Sequence, residues 1–384
     1  MTSEQIHKGL DGVVIDESRL SRVFGDEGRL VFRGYDVDDI AANGDFEETL
    51  YLMWYGELPD ADEYEAFAAS LAAQRDVPDE ILDLLRNLAA VDQHPMDVLQ
   101  ASIAALAGYD EHADVDPEED LDGVVQMGQS LAAKMATITT AYTRLRNGQE
   151  PVAPREDLSH AANFLYMLHD EEPAAEFVDA MDTALQIHME HGTNASTFTT
   201  RVIASTLANP YEAVAGGIGA LAGPLHGGAN QDVLTMLESI ENSEKSAGEW
   251  IDDRLDSGGV VYGYGHRVYN VKDPRAYILQ EHAERLIGGG GDDKWYKLAR
   301  DVEAHMDELG LEEKGIAPNV DFFSGTVYKQ MGIPTDVYTN LFTMSRIGGW
   351  IGHIIEQYED NRIIRPRARY VGDVDLEWTP MDER

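Results

Sequence analysis

The chain has 384 residues, of which 71 are acidic and 29 basic, for a formal net charge of −42. Such a field repels nucleic acid and anionic membranes, so neither is an expected partner. Cysteine is absent, which excludes disulfides, thiolate catalysis and cysteine-ligated metals, while 43% hydrophobic residues exclude charge-driven disorder and suffice for one or two sizeable cores.

From Gly12 to Tyr35 two apolar runs, Val13–Ile15 and Leu30–Phe32, lie on either side of Gly25-Asp-Glu-Gly28, which predicts a small N-terminal β-hairpin. The rest reads as helix. Helices are predicted over 46–56, 60–73 and 79–90, then over Leu121–Leu145, where the larger apolar residues recur mostly at steps of three and four and Gly148 supplies the stop. Further helices are expected over 155–169, 173–190, 210–222, 243–257, 273–287, 292–309 and 335–359, and helix starts are expected just beyond Asn230 and near Asp321. Strand and helix do not alternate, so the fold class is all-α. Gly288-Gly-Gly-Gly291 with Asp292-Asp293 reads as a surface loop between helices. In the last helix Gly348, Gly349 and Gly352 should each cost ~1 kcal/mol relative to alanine. Their clustering predicts close packing of another backbone beside Arg346, one turn earlier.

Three stations set acid–base side chains among or near glycines. They are His226 in Gly223-Pro-Leu-His-Gly-Gly-Ala-Asn230, His266 in Gly263-Tyr-Gly-His-Arg267, and Asp321 in Asn319-Val-Asp. Glycine permits positive φ and close approach of backbone and ligand. Two imidazoles and one carboxylate supply two donors and one base, the minimum for making an enol and then using it, so carbon–carbon bond formation is expected. Singly, each has a plainer reading: a loop histidine satisfied by backbone groups, or, for Asp321, a helix cap.

Together with Leu30-Val-Phe-Arg-Gly-Tyr35, His188-Met-Glu-His191, Asp273-Pro-Arg275, Ser345-Arg346-Ile-Gly-Gly and Arg365-Pro-Arg367, these stations make the chain resemble, nearly end to end, the short homodimeric citrate synthases. The resemblance implies a two-domain multi-helical fold, with 1–226 and 327–384 forming a large helical domain and 227–326 a small one. The active site would lie in the cleft between them. It implies Asp321 as the base that deprotonates acetyl-CoA, His226 as donor to the thioester oxygen and His266 as donor to the ketone of oxaloacetate. His191, Arg275, Arg346 and Arg365 would hold oxaloacetate, Arg365 reaching across a homodimer interface. Acetyl-CoA is implied as co-substrate, with no tightly bound cofactor and no metal. Arg267, Lys272 and Arg367 are the candidates for the CoA phosphates, since Asn270 stands where the family usually has lysine or arginine. The tail 362–369 holds four arginines, a local reversal of sign that suits an anion site.

Two weak patterns are discounted. Gly217-Ile-Gly-Ala-Leu-Ala222 fits a loose dinucleotide fingerprint but follows a helical stretch, not a strand. His188 and His191, three apart on an expected helix, lack a third metal ligand. The nearest alternative function is 2-methylcitrate synthase acting on propionyl-CoA, since one methylene changes discrimination by only ~1–3 kcal/mol. A non-catalytic acyl-CoA or dicarboxylate-binding protein would be marked by loss of one proton-handling side chain, and all three are present. With eight lysines against 21 arginines and acidic loops such as Asp110-Glu-His-Ala-Asp114, the composition suits a salt-in halophile. Self-repulsion acts over a Debye length of ~10 Å at 0.1 M salt and only ~3 Å at 1 M. The N-terminus has no apolar targeting segment and no run of apolar residues long enough to span a bilayer is present, so a cytoplasmic location is expected.

Overall fold

A computed structural model describes residues 6–10, 12–288 and 293–384. The expected loop at 288–293 therefore falls largely outside the described residues. Near the N-terminus an antiparallel three-stranded sheet runs β1 (Ser21–Phe24), β2 (Arg29–Phe32), β3 (Tyr35–Asp36), with Phe24 opposite Arg29. The Gly25–Gly28 turn is where the sequence places it, and Gly28 adopts φ +61°. The preceding strand is Ser21–Phe24, however, and not Val13–Ile15: a four-residue turn fixes pairing to the residues just before it, and Val14 is left 89% exposed.

The first helices, α1 (Val37–Asn43), α2 (Phe46–Tyr55), α3 (Ala61–Ala73), α4 (Asp79–Ala89) and α5 (Pro95–Leu106), lead into the long α6 (Leu121–Arg146). Asp120 caps α6 by accepting from the Gly123 N–H at 2.8 Å, and the chain leaves it through Asn147 and Gly148, at φ +72°. Next come α7 (His160–His169), α8 (Ala175–Ile187), α9 (Ala195–Ala204) and α10 (Pro210–Leu221). The expected start of α7 at 155 is too early, because Ser159 is its cap and the Leu158 carbonyl accepts from the buried Arg75 at 2.9 Å. The expected end of α8 at 190 is too late. His188 is already its C-cap, so His188 and His191 do not share a helix. The last elements are α11 (Ala229–Glu241), α12 (Ala247–Asp256), α13 (Pro274–Gly288), α14 (Asp293–Glu308), α15 (Val320–Gln330) and α16 (Tyr338–Glu359).

The core centres on α16, which is buried along most of its length and packs on α6, α9, α10, α2 and α8. Its glycines are there for contact. A Cβ on Gly348 would come within 2.5 Å of the Met189 sulfur, and one on Gly352 within 2.7 Å of Leu20. The Gly217 motif likewise lies inside α10, where Gly216 and Gly217 meet Ile203 and Thr200 of α9, and Gly219 meets Gln100 of α5. It is a packing face and not a phosphate loop. Among the described residues no helix is long and apolar enough to cross a membrane.

Candidate active site

The His266 and Asp321 stations are stitched together by their glycines. Gly263 and Gly265 take φ +80° and +81°, and a Cβ on Gly263 would sit 2.8 Å from Phe322 and Val233. The Gly265 N–H donates to the Ala317 carbonyl at 2.8 Å, and the Asn319 N–H to the Gly263 carbonyl at 2.8 Å. Asn319 also donates from Nδ2 to the Gly265 carbonyl at 3.0 Å while its Oδ1 caps α15 through the Asp321 N–H, also at 3.0 Å. Asp321 thus enters the first turn of α15 with its cap tied to the histidine loop. The β1–β2 turn closes on the same loop: the Asn270 N–H donates to the Gly25 carbonyl at 3.1 Å, and Asn270 Nδ2 to Asp26 at 2.6 Å.

Both imidazoles have their tautomers fixed by backbone donors. His266 Nδ1 accepts from the Val268 and Tyr269 N–H groups at 3.0 and 3.1 Å, which leaves the proton on Nε2. His226 Nε2 accepts from the Ser196 N–H at 3.2 Å, with the Ser196 hydroxyl 2.8 Å away, which leaves the proton on Nδ1. Burial pushes both rings down to about 4, helped by Arg346 at His226 and Arg275 at His266. At neutral pH each is an uncharged donor through its free N–H.

The charges gather around two buried guanidiniums. Arg275 follows Asp273 and Pro274 at the start of α13, and Asp273 accepts from Arg275 Nε at 3.0 Å and Nη2 at 2.7 Å. Arg346 donates from Nε to the His188 carbonyl at 2.9 Å; burial lowers it to about 10 against the opposing pull of Glu190, and Asp321 adds to that pull. Asp321 itself is raised to about 6 by burial, with Arg275 and Arg346 opposing and Asp273 reinforcing. His191 is driven well below its ordinary value by burial, Arg275, His266 and Arg346, and its ring stands 5.1 Å from that of His266. His191 and Asp321 feel both arginines, His226 feels Arg346, His266 feels Arg275, and the two arginines act on each other, so the structure brings His191, His226, His266, Arg275, Asp321 and Arg346 together.

The remaining sequence candidates fare differently. Lys272 does not present its ammonium to a phosphate: it is 8% exposed and bound to Glu303 at 2.6 Å and Gln280 at 2.5 Å, a buried pair that extracting the lysine would break. Arg267 is exposed, and its charge reaches His226. Arg365 and Arg367 lie on the exposed, irregular tail that follows α16. Asn319 and Asp273 stand inside quoted motifs without a role of their own, although Asn before a helix start and Asp-Pro at one both read as caps, while Ser196 and Tyr269 carry no signal in the sequence.

The hairpin contact gives a test away from the reacting groups. A Cβ on Gly25 would lie 2.1 Å from the Val268 carbonyl oxygen. Gly25→Ala should therefore displace the loop that fixes His266, lowering kcat/KM about tenfold with little change in melting temperature. Steady-state kinetics beside a thermal melt checks this.

Comparison with known proteins agrees with this geometry. The family model described as "Citrate synthase, C-terminal domain" matches residues 9–367. The citrate synthase of Haloferax volcanii is 50% identical over 382 residues, covering 100% of both chains. Relatives named 2-methylcitrate synthase are more distant, one from Corynebacterium glutamicum being 36% identical over 100% of this chain and 99% of its own. Among solved structures, citrate synthase from Pyrobaculum aerophilum matches with a TM-score of 0.93 at 37% identity, over 99% of this chain and 95% of that one. The ternary complex of citrate synthase from Thermoplasma acidophilum with carboxymethyl coenzyme A and oxaloacetate matches with a TM-score of 0.90 at 33% identity, over 100% of both chains. The chain belongs to the citrate synthase family.

Proposed function

We propose that the protein condenses acetyl-CoA with oxaloacetate and water to give citrate and CoA. The observation that carries this reading is a base raised to about 6 beside two neutral imidazoles whose free protons lie on different ring nitrogens, Nδ1 of His226 and Nε2 of His266. Asp321 takes a proton from the thioester methyl while His226 Nδ1–H donates to the thioester oxygen, where charge develops. The enol carbon then attacks the ketone as His266 Nε2–H donates to its oxygen. Water finally cleaves the new thioester and releases CoA. His191, Arg275 and Arg346 supply the positive and hydrogen-bonding wall that a dicarboxylate needs inside a chain of net charge −42.

We infer a homodimer in which Arg365 completes the partner's oxaloacetate site. Support comes from the tail after α16, which forms neither helix nor strand up to Pro380 and leaves Tyr370, Val371, Leu376 and Trp378 between 72% and 86% exposed, apolar surface that a second copy of this chain would cover. Arg365→Ala should raise the KM for oxaloacetate at least ~10-fold. Mixing it with an inactive Asp321→Asn chain should restore about a quarter of wild-type activity through heterodimers holding one intact site. No restoration on mixing would remove the shared site.

The same reading places a small lobe at 227–326 against a large one at 1–226 and 327–384, and assigns the CoA phosphates to Arg267 and Arg367 without Lys272. It also places the protein in a saline cytoplasm. A thiol-release assay with oxaloacetate in molar KCl tests reaction and solvent together. Acetyl-CoA should exceed propionyl-CoA in kcat/KM, and the activity should decline as KCl falls to 0.1 M, where the Debye length reaches ~10 Å. A preference for propionyl-CoA would turn the assignment to 2-methylcitrate synthase.

A further inference from the structure

Tyr269 carries no signal in the sequence, yet the fold sets its ring against two imidazoles of the site. It is 1% exposed, and its ring stands 4.9 Å from that of His266 and 5.6 Å from that of His191. Its backbone N–H is one of the two donors that fix the His266 tautomer. Its hydroxyl is buried yet has no hydrogen-bond partner, and the neighbouring His191 Nε2 is in the same condition. A buried hydroxyl left unpaired is costly, and an unpaired pair beside a reacting imidazole marks where a polar ligand belongs. Burial holds the phenol protonated, and it lies within electrostatic reach of Arg275, Asp273 and Asp38. Asp273 already occupies Nε and Nη2 of Arg275, so the guanidinium alone offers an anion an incomplete set of donors.

We propose that Tyr269 contacts the substrate: its hydroxyl donates a hydrogen bond to a carboxylate of the bound ketodiacid, beside Arg275 and His191, while its ring walls His266 in place. The proposal rests on the oxaloacetate reading above. One side chain would then do two separable things, since phenylalanine keeps the wall and removes the donor, whereas leucine removes both. A neutral donor also suits this position. It adds a hydrogen bond to the dianion without a third cation beside Arg275 and Arg346, whose mutual repulsion already bears on Arg346.

The test combines binding and turnover. By titration calorimetry, Tyr269→Phe should weaken oxaloacetate binding 5- to 20-fold relative to wild type, with a matching rise in its KM, an unchanged KM for acetyl-CoA and a kcat within threefold. Tyr269→Leu should show the same weakening and in addition lose kcat by about 30-fold, which the phenylalanine variant rescues. Oxaloacetate affinity within twofold of wild type in Tyr269→Phe overturns the hydroxyl contact while leaving the enzyme reading intact. Wild-type protein that binds no oxaloacetate overturns both. Equal kcat in the two variants overturns the wall.

Discussion

Replacing Asp321 by asparagine is expected to lower kcat roughly 10³-fold and, above pH 6, to raise the melting temperature. The two effects share one cause. Folding carries this carboxylate from its ordinary value of 3.8 up to about 6, chiefly through burial. The folded state therefore holds the proton more tightly than the unfolded chain does. Stability linked to Asp321 is full below pH 4, falls as pH rises through 6, and then levels off after a loss of roughly 2–3 kcal/mol. Asparagine keeps the shape without ionising, so its advantage over wild type should be small at pH 4, grow to pH 6 and stay constant at pH 8. In the wild type, kcat/KM should show an acid limb near 6, set by this carboxylate, because both imidazoles are neutral well below that pH. An acid limb near 4, or an asparagine variant with a tenth of normal activity, would remove Asp321 from the role of base.

How far the sequence reveals this site depends on the range of each contact. The apolar period of α6 and the stop at Gly148 are local, and they read correctly. The His266 station stands out because its loop takes positive φ at Gly263 and Gly265, whereas Asp321 by itself reads as an ordinary first-turn residue behind the Asn319 cap. By contrast α9, with Thr197, Thr199, Thr200, Val202 and Ile203, has weak helix propensity and is held by its packing on α10, so it left no signal. Lys272 looks like a free cation beside a catalytic loop, but its partner Glu303 lies 31 residues away on α14. The tautomers of His226 and His266 depend on N–H groups whose directions exist only after folding. The proposed role of Arg365 requires a second copy of the chain, which no pattern within one chain can display.

Gly349→Ala should destabilise the protein by roughly 2–3 kcal/mol, although alanine gains ~1 kcal/mol over glycine in an open helix. The added Cβ would lie 2.3 Å from Glu190 Oε2 and 2.5 Å from the Met189 carbonyl oxygen. Neither neighbour can retreat freely. The Glu190 carboxylate accepts from Ser21 at 3.0 Å and from the Gly192 N–H at 2.5 Å, pairs with His353 at 3.1 Å, and helps to balance the buried charge of Arg346. Displacing it strains a buried charge network, and because Met189 and Glu190 lead directly into His191, the proposed oxaloacetate wall moves with it. The KM for oxaloacetate should therefore rise together with the fall in melting temperature. Gly108→Ala is the matched control, since a Cβ there meets nothing within 4 Å, and it should leave both quantities unchanged. If the two alanine variants melt alike, the glycines of α16 are not close-approach positions, and Arg346 is held by something other than the packing they allow.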